Sequence, residues 1–191
     1  AYRIYGKSAH AGNEPEKGIN AIRAAADLVL QLSDSRLTPF STANIANFHG
    51  GTGATNVVCD FAEVVAEARS TDSDEFARIL EAFSAPVEKI EKKYGVRIEY
   101  IPAVLYPTFK REKEEPMVQL AARAMENLGI SPVYARGGGG MDGNHFNAKG
   151  IHSIGIATGY FKNHTPQEHL YLEDFYQCGA LAAEIVWENA K

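Results

Sequence analysis

The chain of 191 residues is 45% apolar and 23% charged, an ordinary globular mixture sufficient for one medium domain or two small ones with a buried core. That composition excludes a disordered, collagen-like or coiled-coil chain. The net charge of −5 and the absence of any Lys/Arg run longer than two speak against a nucleic-acid or anionic-membrane partner.

No apolar run reaches the ~18 residues of a membrane helix, and nothing reads as a signal peptide. Cys59 and Cys178 are the only cysteines, which suits reduced thiols of a cytoplasmic protein better than a disulfide framework. The first residue is Ala1, and Tyr2-Arg3-Ile4-Tyr5-Gly6 reads as a strand already under way, as in a piece of a longer protein.

Weak alternation over residues 2–9 predicts a strand, followed by the turn cluster Gly12-Asn13-Glu14-Pro15. Ile19, Ile22, Ala26, Val29, Leu30 and Leu32 recur near helical spacing and predict a helix over 15–33. Residues 33–40 read as a polar connection, 42–48 as a strand, 49–53 as a turn and 56–70 as a long strand. Thr71-Asp72-Ser73-Asp74 caps a helix predicted over 74–94 and closed by Gly95. A strand follows over 96–104. The order β-α-β-β-α-β is the split pattern of ferredoxin-like domains, two helices on one face of an antiparallel sheet, placed at residues 1–105.

Residues 106–191 read differently. Pro116 opens a helix to residue 128, stopped by Gly129. A short strand is predicted over 132–136, a helix over 142–148 and a closing helix over 172–189. The nearly continuous apolar run 151–158 suits a strand buried on both faces of a parallel sheet. Two such strands make only part of an α/β domain.

Gly138, Gly140 and Gly143 formally match G-x-G-x-x-G, yet no acidic residue ends the next strand and no P-loop Lys-Ser/Thr follows, so a nucleotide is not indicated. Bare N–H groups at such a turn would suit a carboxylate, with Asp142 capping the helix beyond. His164 lies in a loop past the predicted buried strand, where open α/β sheets place their sites; a surface histidine is the plainer alternative. His10, among small residues, has a reachable imidazole or is a turn histidine bonded to backbone. Arg69 could clamp a carboxylate or form a surface ion pair, and Asn56 could be a simple turn residue.

Taken together, five segments in order resemble the M20 metallopeptidases. They are Gly6-Lys7-Ser8-Ala9-His10-Ala11-Gly12 with Pro15, Gly18 and Asn20; Gly53-Ala54-Thr55-Asn56-Val57-Val58; Glu67-Ala68-Arg69-Ser70; Gly138-Gly139-Gly140-Met141-Asp142-Gly143-Asn144; and Gly159-Tyr160 through His164-Thr165 to Glu168. Ala43-Asn44-Ile45 and Gly50-Gly51-Thr52 resemble the peptidase T and tripeptidase-like branch.

That resemblance implies an α/β protein: a ferredoxin-like, two-layer lid (dimerisation) domain, then an incomplete α/β zinc-peptidase catalytic domain. It implies a dinuclear metal aminopeptidase acting on short peptides, with zinc, or cobalt or manganese, activating a water that a glutamate deprotonates. Carried over residue by residue, His164 is the metal ligand. His10 stabilises the tetrahedral intermediate, from the partner subunit in dimeric relatives. Asn56, Arg69, Gly138, Gly139 and Gly140 hold the substrate's carboxylate end. A homodimer through the lid is implied.

The family's His-x-Asp pair, bridging aspartate and Glu-Glu pair are absent from this sequence, and Met141 stands where Ser or Thr is usual. Residues 1–191 alone are therefore expected to be inactive. The alternatives are an amidohydrolase of the same family, an aminoacylase or carboxypeptidase, and a non-catalytic dimerisation or binding module.

Overall fold

The computed structural model describes residues 1–191, which divide into two compact units, Ala1–Thr108 and Phe109–Lys191. The first unit contains β1 (Tyr2–Tyr5), α1 (Ala21–Gln31), β2 (Ser35–Thr38), β3 (Ser41–Gly50), β4 (Phe61–Ser70), α2 (Ser73–Ser84), α3 (Pro86–Tyr94) and β5 (Arg97–Tyr100). Its strands form one antiparallel sheet in the order β2-β3-β4-β1-β5. Without β2 this is the ferredoxin-like arrangement. β2 lies in the segment read as a polar connection, where Arg36 and Leu37 give no usable alternation. Pairing with β3 makes the strand.

α1 begins six residues later than its periodicity suggests. Ile19 is taken up by backbone pairing with Lys7, N–H to carbonyl in both directions at 2.9 and 2.8 Å, so it cannot be helical. The Asn20 side chain then accepts from the N–H groups of Ile22 and Arg23 and starts the helix. The helix predicted over 74–94 is two helices, because Pro86 has no N–H to give to the preceding turn. Asp72 caps α2 by accepting from Asp74 and Glu75, and Gly95, at φ 70°, ends α3.

All three helices of this unit contribute to one core on one face of the sheet, with Tyr2, Ile4, Leu28, Val64 and Ile90 fully buried. The Tyr2 ring stacks on Tyr100, and its hydroxyl donates to the Phe83 carbonyl at 2.8 Å; burial pushes the phenol well above its usual range. Alternate residues put Arg3, Tyr5, Glu63, Glu67, Arg69, Arg97 and Glu99 on the other face.

The second unit holds α4 (Pro116–Asn127), α5 (Asp142–Ala148), a short hairpin of β6 (Tyr160–Phe161) and β7 (His169–Leu170), and α6 (Leu172–Asn189). α4 and α6 pack through Ala121, Ala122, Ala124 and Leu181, with Arg123 and Asn127 bonded to Glu188 and Glu184 at the rim. The strands expected over 132–136 and 151–158 do not form. A strand exists only where a neighbour takes its N–H and C=O groups, and neither segment has a ladder partner. Val133 is 86% and Ile151 58% exposed, the reverse of burial on both faces. The two cysteines are half-buried and free.

Candidate functional site

The β1–β4 pairing continues past the sheet as a two-stranded arm. Gly6 N–H bonds the Asp60 carbonyl, Val58 N–H the Ala9 carbonyl and Ala11 N–H the Asn56 carbonyl, with His10 bridging to Val57. His10 and Asn56 thus stand on one exposed arm, His10 opposite Val57 and Asn56 opposite Ala11. The His10 ring is fixed by its own turn: Nδ1 accepts from the N–H groups of Gly12 at 3.1 Å and Asn13 at 3.2 Å. A nitrogen that accepts twice carries no proton, so the neutral ring bears its hydrogen on Nε2. The turn-histidine alternative and the reachable imidazole are therefore the same arrangement: backbone bonds on one side, an N–H donor on the other.

Arg69 sits near the end of β4, opposite Thr42 of β3. Its guanidinium forms a fork on Glu67, Nε to Oε1 at 2.7 Å and Nη2 to Oε2 at 2.9 Å. That bond raises the arginine and holds the Glu67 carboxyl below the usual range. Glu67, two residues away on the same face, is the partner that sequence reading missed; period-two spacing in a strand was the available signal. The pair engages Arg69 with a carboxylate of its own chain, both side chains about two-fifths exposed, which is the ion-pair alternative raised for it by the sequence.

Arg69 and the His10 arm occupy opposite ends of β4. Eight residues separate Phe61 from Arg69, roughly 27 Å at the rise of a strand, and the arm extends further from Phe61. A tripeptide spans about 10 Å. One lid cannot put both residues on one tripeptide. Beyond its short ladder with β2, which ends at Ala43, the outer edge of β3 has no strand partner, with Ile45 N–H donating to Asp34 Oδ1 and Phe48 42% exposed.

In the second unit the glycine run leads into α5. Nothing lies within 4 Å of where a Cβ would stand on Gly137, Gly138 or Gly139, and Gly140 is likewise exposed. Asp142 does not cap α5; it is the first helical residue. Asn144 does the capping, its Oδ1 accepting from Met141 N–H at 2.9 Å while its own N–H donates to the Met141 carbonyl. The Asn147 amide donates to the carbonyls of Gly143 and Ser153 and accepts from Ser153 N–H and Arg111, joining α5 to the segment beyond it.

His164 lies at the tip of the β6–β7 hairpin rather than beyond a buried strand. Its backbone is left-handed at φ 61°, and its N–H donates to the Glu168 carboxylate at 2.6 Å. His169 is engaged elsewhere, stacked on Phe161 with Nδ1 against the Gln167 carbonyl. No group of three or more His, Cys, Asp or Glu side chains converges as a metal cage. The residues of this chain thus do not themselves fit a dinuclear centre, and His164 stands as a single candidate ligand.

Residues 2–95 match the family described as the peptidase dimerisation domain of M20 enzymes. The chain is 36% identical to the uncharacterized protein YqjE of Bacillus subtilis (strain 168) over 188 residues, 98% of this chain and 50% of that protein. Among solved structures it is similar to aminopeptidase PepT from Bacillus cereus, with TM-score 0.82 and 36% identity, covering 100% of this chain and 51% of that one. It is also similar to a tripeptidase from Staphylococcus aureus, with TM-score 0.85 and 34% identity, covering 96% and 49%. The chain spans about half the length of the relatives it matches. No helix is long and apolar enough to cross a membrane.

Proposed function

Because the chain belongs to the M20 peptidase family, close to peptidase T, we propose that it is the lid and C-terminal portion of a cytoplasmic aminopeptidase that hydrolyses short peptides, tripeptides foremost. The observation that carries this reading is the fixed His10 ring. A hydrogen-bond donor whose position is set before the reaction stabilises an oxyanion without reorganising, and His10 has that form: Nδ1 held by two backbone N–H groups, Nε2 carrying the proton. Its partner would be the carbonyl oxygen of the scissile bond as charge develops on it. Arg69 and Asn56 would bind the peptide's carboxylate end, as would the backbone of Gly138, Gly139 and Gly140. In the free chain Glu67 fills the Arg69 fork, and the substrate carboxylate would take its place.

The separation along β4 supports a homodimer in which each site takes Arg69 from one copy and the arm, with His10 and Asn56, from the other. Antiparallel pairing of two copies through the β3 stretch beyond Ala43 brings the Asn44 end of one copy to the Gly50 end of its partner. Zinc, or cobalt or manganese, belongs to this reading through the family. Of its ligands this chain would supply His164, and the others, with the general base, would come from outside residues 1–191.

The test uses the full-length enzyme. His10→Ala lowers kcat for a tripeptide about 10²–10³-fold with little change in KM. Mixing His10→Ala with Arg69→Ala subunits restores part of the turnover, since a mixed dimer has one site with both side chains. Residues 1–191 alone hydrolyse nothing. An unchanged kcat in His10→Ala would refute the assignment, and no recovery on mixing would refute the shared site.

A further inference from the structure

We propose that the lid carries a binding site for a free apolar α-amino acid, in the cavity between β2 and α2. Its volume of about 330 Å³ lies at the small end of the range for ligand pockets, roughly 300–1,000 Å³. Leu37, Ile79, Ala82 and Phe83 give the cavity an apolar wall, and Glu75 and Arg78 bring one charge of each sign. Glu75, Arg78, Ile79 and Ala82 fall at i, i+3, i+4 and i+7 of α2, so the helix turns a single face to the cavity. Ile79 is 8% and Phe83 5% exposed, so that wall is packed before any ligand arrives.

The two charged groups are arranged for a ligand rather than for each other. Both hydrogen bonds to the Glu75 carboxylate fall on Oε2: Thr38 Oγ1 donates at 2.7 Å, and the hydroxyl of Ser41, a residue 1% exposed, donates as well. These bonds, Ser41 first, hold the Glu75 carboxyl below its usual range, with the Arg78 charge a smaller cause. Glu75 is therefore a fixed anion whose Oε1 accepts no hydrogen bond. Arg78 is exposed and makes no hydrogen bond or ion pair. Residues three apart on a helix hold their Cβ atoms about 5–6 Å apart. An α-amino acid carries its ammonium and carboxylate on one carbon and fits between such a pair, the ammonium donating to Oε1 and the carboxylate accepting from the guanidinium. Each added residue would part those two ends by a further ~3.8 Å. An aliphatic or aromatic side chain buries apolar area on the wall, which glycine cannot do.

The test titrates L-leucine into isotope-labelled residues 1–191 at neutral pH and follows the backbone amides by NMR. The resonances of Leu37, Ile79 and Phe83 move together and saturate with a single Kd. Glu75→Gln keeps an oxygen for Thr38 and Ser41 but loses the charge, and Arg78→Met keeps an apolar stem on an exposed residue; each raises that Kd at least about tenfold. N-acetyl-leucine, which lacks the ammonium, and leucinamide, which lacks the carboxylate, bind at least about tenfold more weakly than leucine. No movement of these resonances at about 50 mM leucine overturns the proposal. An unchanged Kd in Arg78→Met overturns it too, and that substitution removes no bond of the fold. Glycine or Leu-Leu bound as tightly as leucine also overturns it, the first because the apolar wall then contributes nothing, the second because the cavity then takes peptides. Neither Glu75 nor Arg78 belongs to the site proposed for peptide hydrolysis, so failure here leaves that activity standing.

Discussion

Substituting Gly6 by alanine tests whether the His10 arm is held as the structure shows. A Cβ at this position would stand 2.1 Å from the Ile19 carbonyl oxygen, 3.1 Å from its carbon and 3.2 Å from Ala21 N. All three are backbone atoms and cannot swing away. A carbon and an oxygen meet comfortably at about 3.3 Å, so the two segments must part by about 1 Å. Overpacking of this kind costs about 1–3 kcal/mol. The shift also breaks the two Lys7–Ile19 backbone bonds, worth about 0.5–1.5 kcal/mol each. The sum lies between about 2 and 6 kcal/mol. For a domain of this size each kcal/mol lowers Tm by roughly 4–8 °C, so the lid transition in scanning calorimetry drops by at least about 8 °C. Gly137→Ala is the control: its Cβ meets nothing within 4 Å, and its cost stays within about 0.5 kcal/mol. A Gly6→Ala lid melting within about 3 °C of wild type would refute the close approach of Gly6 and Ile19, and with it the anchoring of the arm.

Two further outcomes follow from other parts of the lid. In the full-length enzyme Arg69→Ala raises KM for a tripeptide at least about tenfold and changes kcat less, because a carboxylate clamp acts in ground and transition states alike; a normal KM in steady-state kinetics removes Arg69 from the site. Asp27 accepts from Lys93 at 2.5 Å, Gln31 and Tyr94, and these bonds, Lys93 foremost, hold its carboxyl down to about 2, below the ordinary 3.8. A depressed carboxyl stabilises the fold above about pH 4, and the contribution is lost as pH falls through about 2. Wild-type Tm therefore falls more steeply than that of Asp27→Asn between pH 4 and pH 2, and parallel profiles would refute this.

Much of the lid was legible in its residues because its signals are local. Asp72 and Gly95 mark helix ends through their own side-chain or backbone chemistry. Alternation in residues 61–70 is enough for a strand with one buried face. The motif run from Gly6 to Gly12 is likewise local, and it carries the resemblance that singles out His10. What the tertiary structure decided was every feature that depends on a partner distant in sequence. β2 exists because β3 lies beside it, and α1 starts at Ala21 because Lys7 claims Ile19. The strands read into 132–136 and 151–158 do not form because no neighbour takes their backbone groups, however apolar the run. Residue types alone could not say that Glu67 fills the Arg69 fork or that two backbone amides fix the His10 tautomer. Nor could they place Arg69 and His10 at opposite ends of one strand, a separation set by antiparallel register and so visible only once the sheet is assembled.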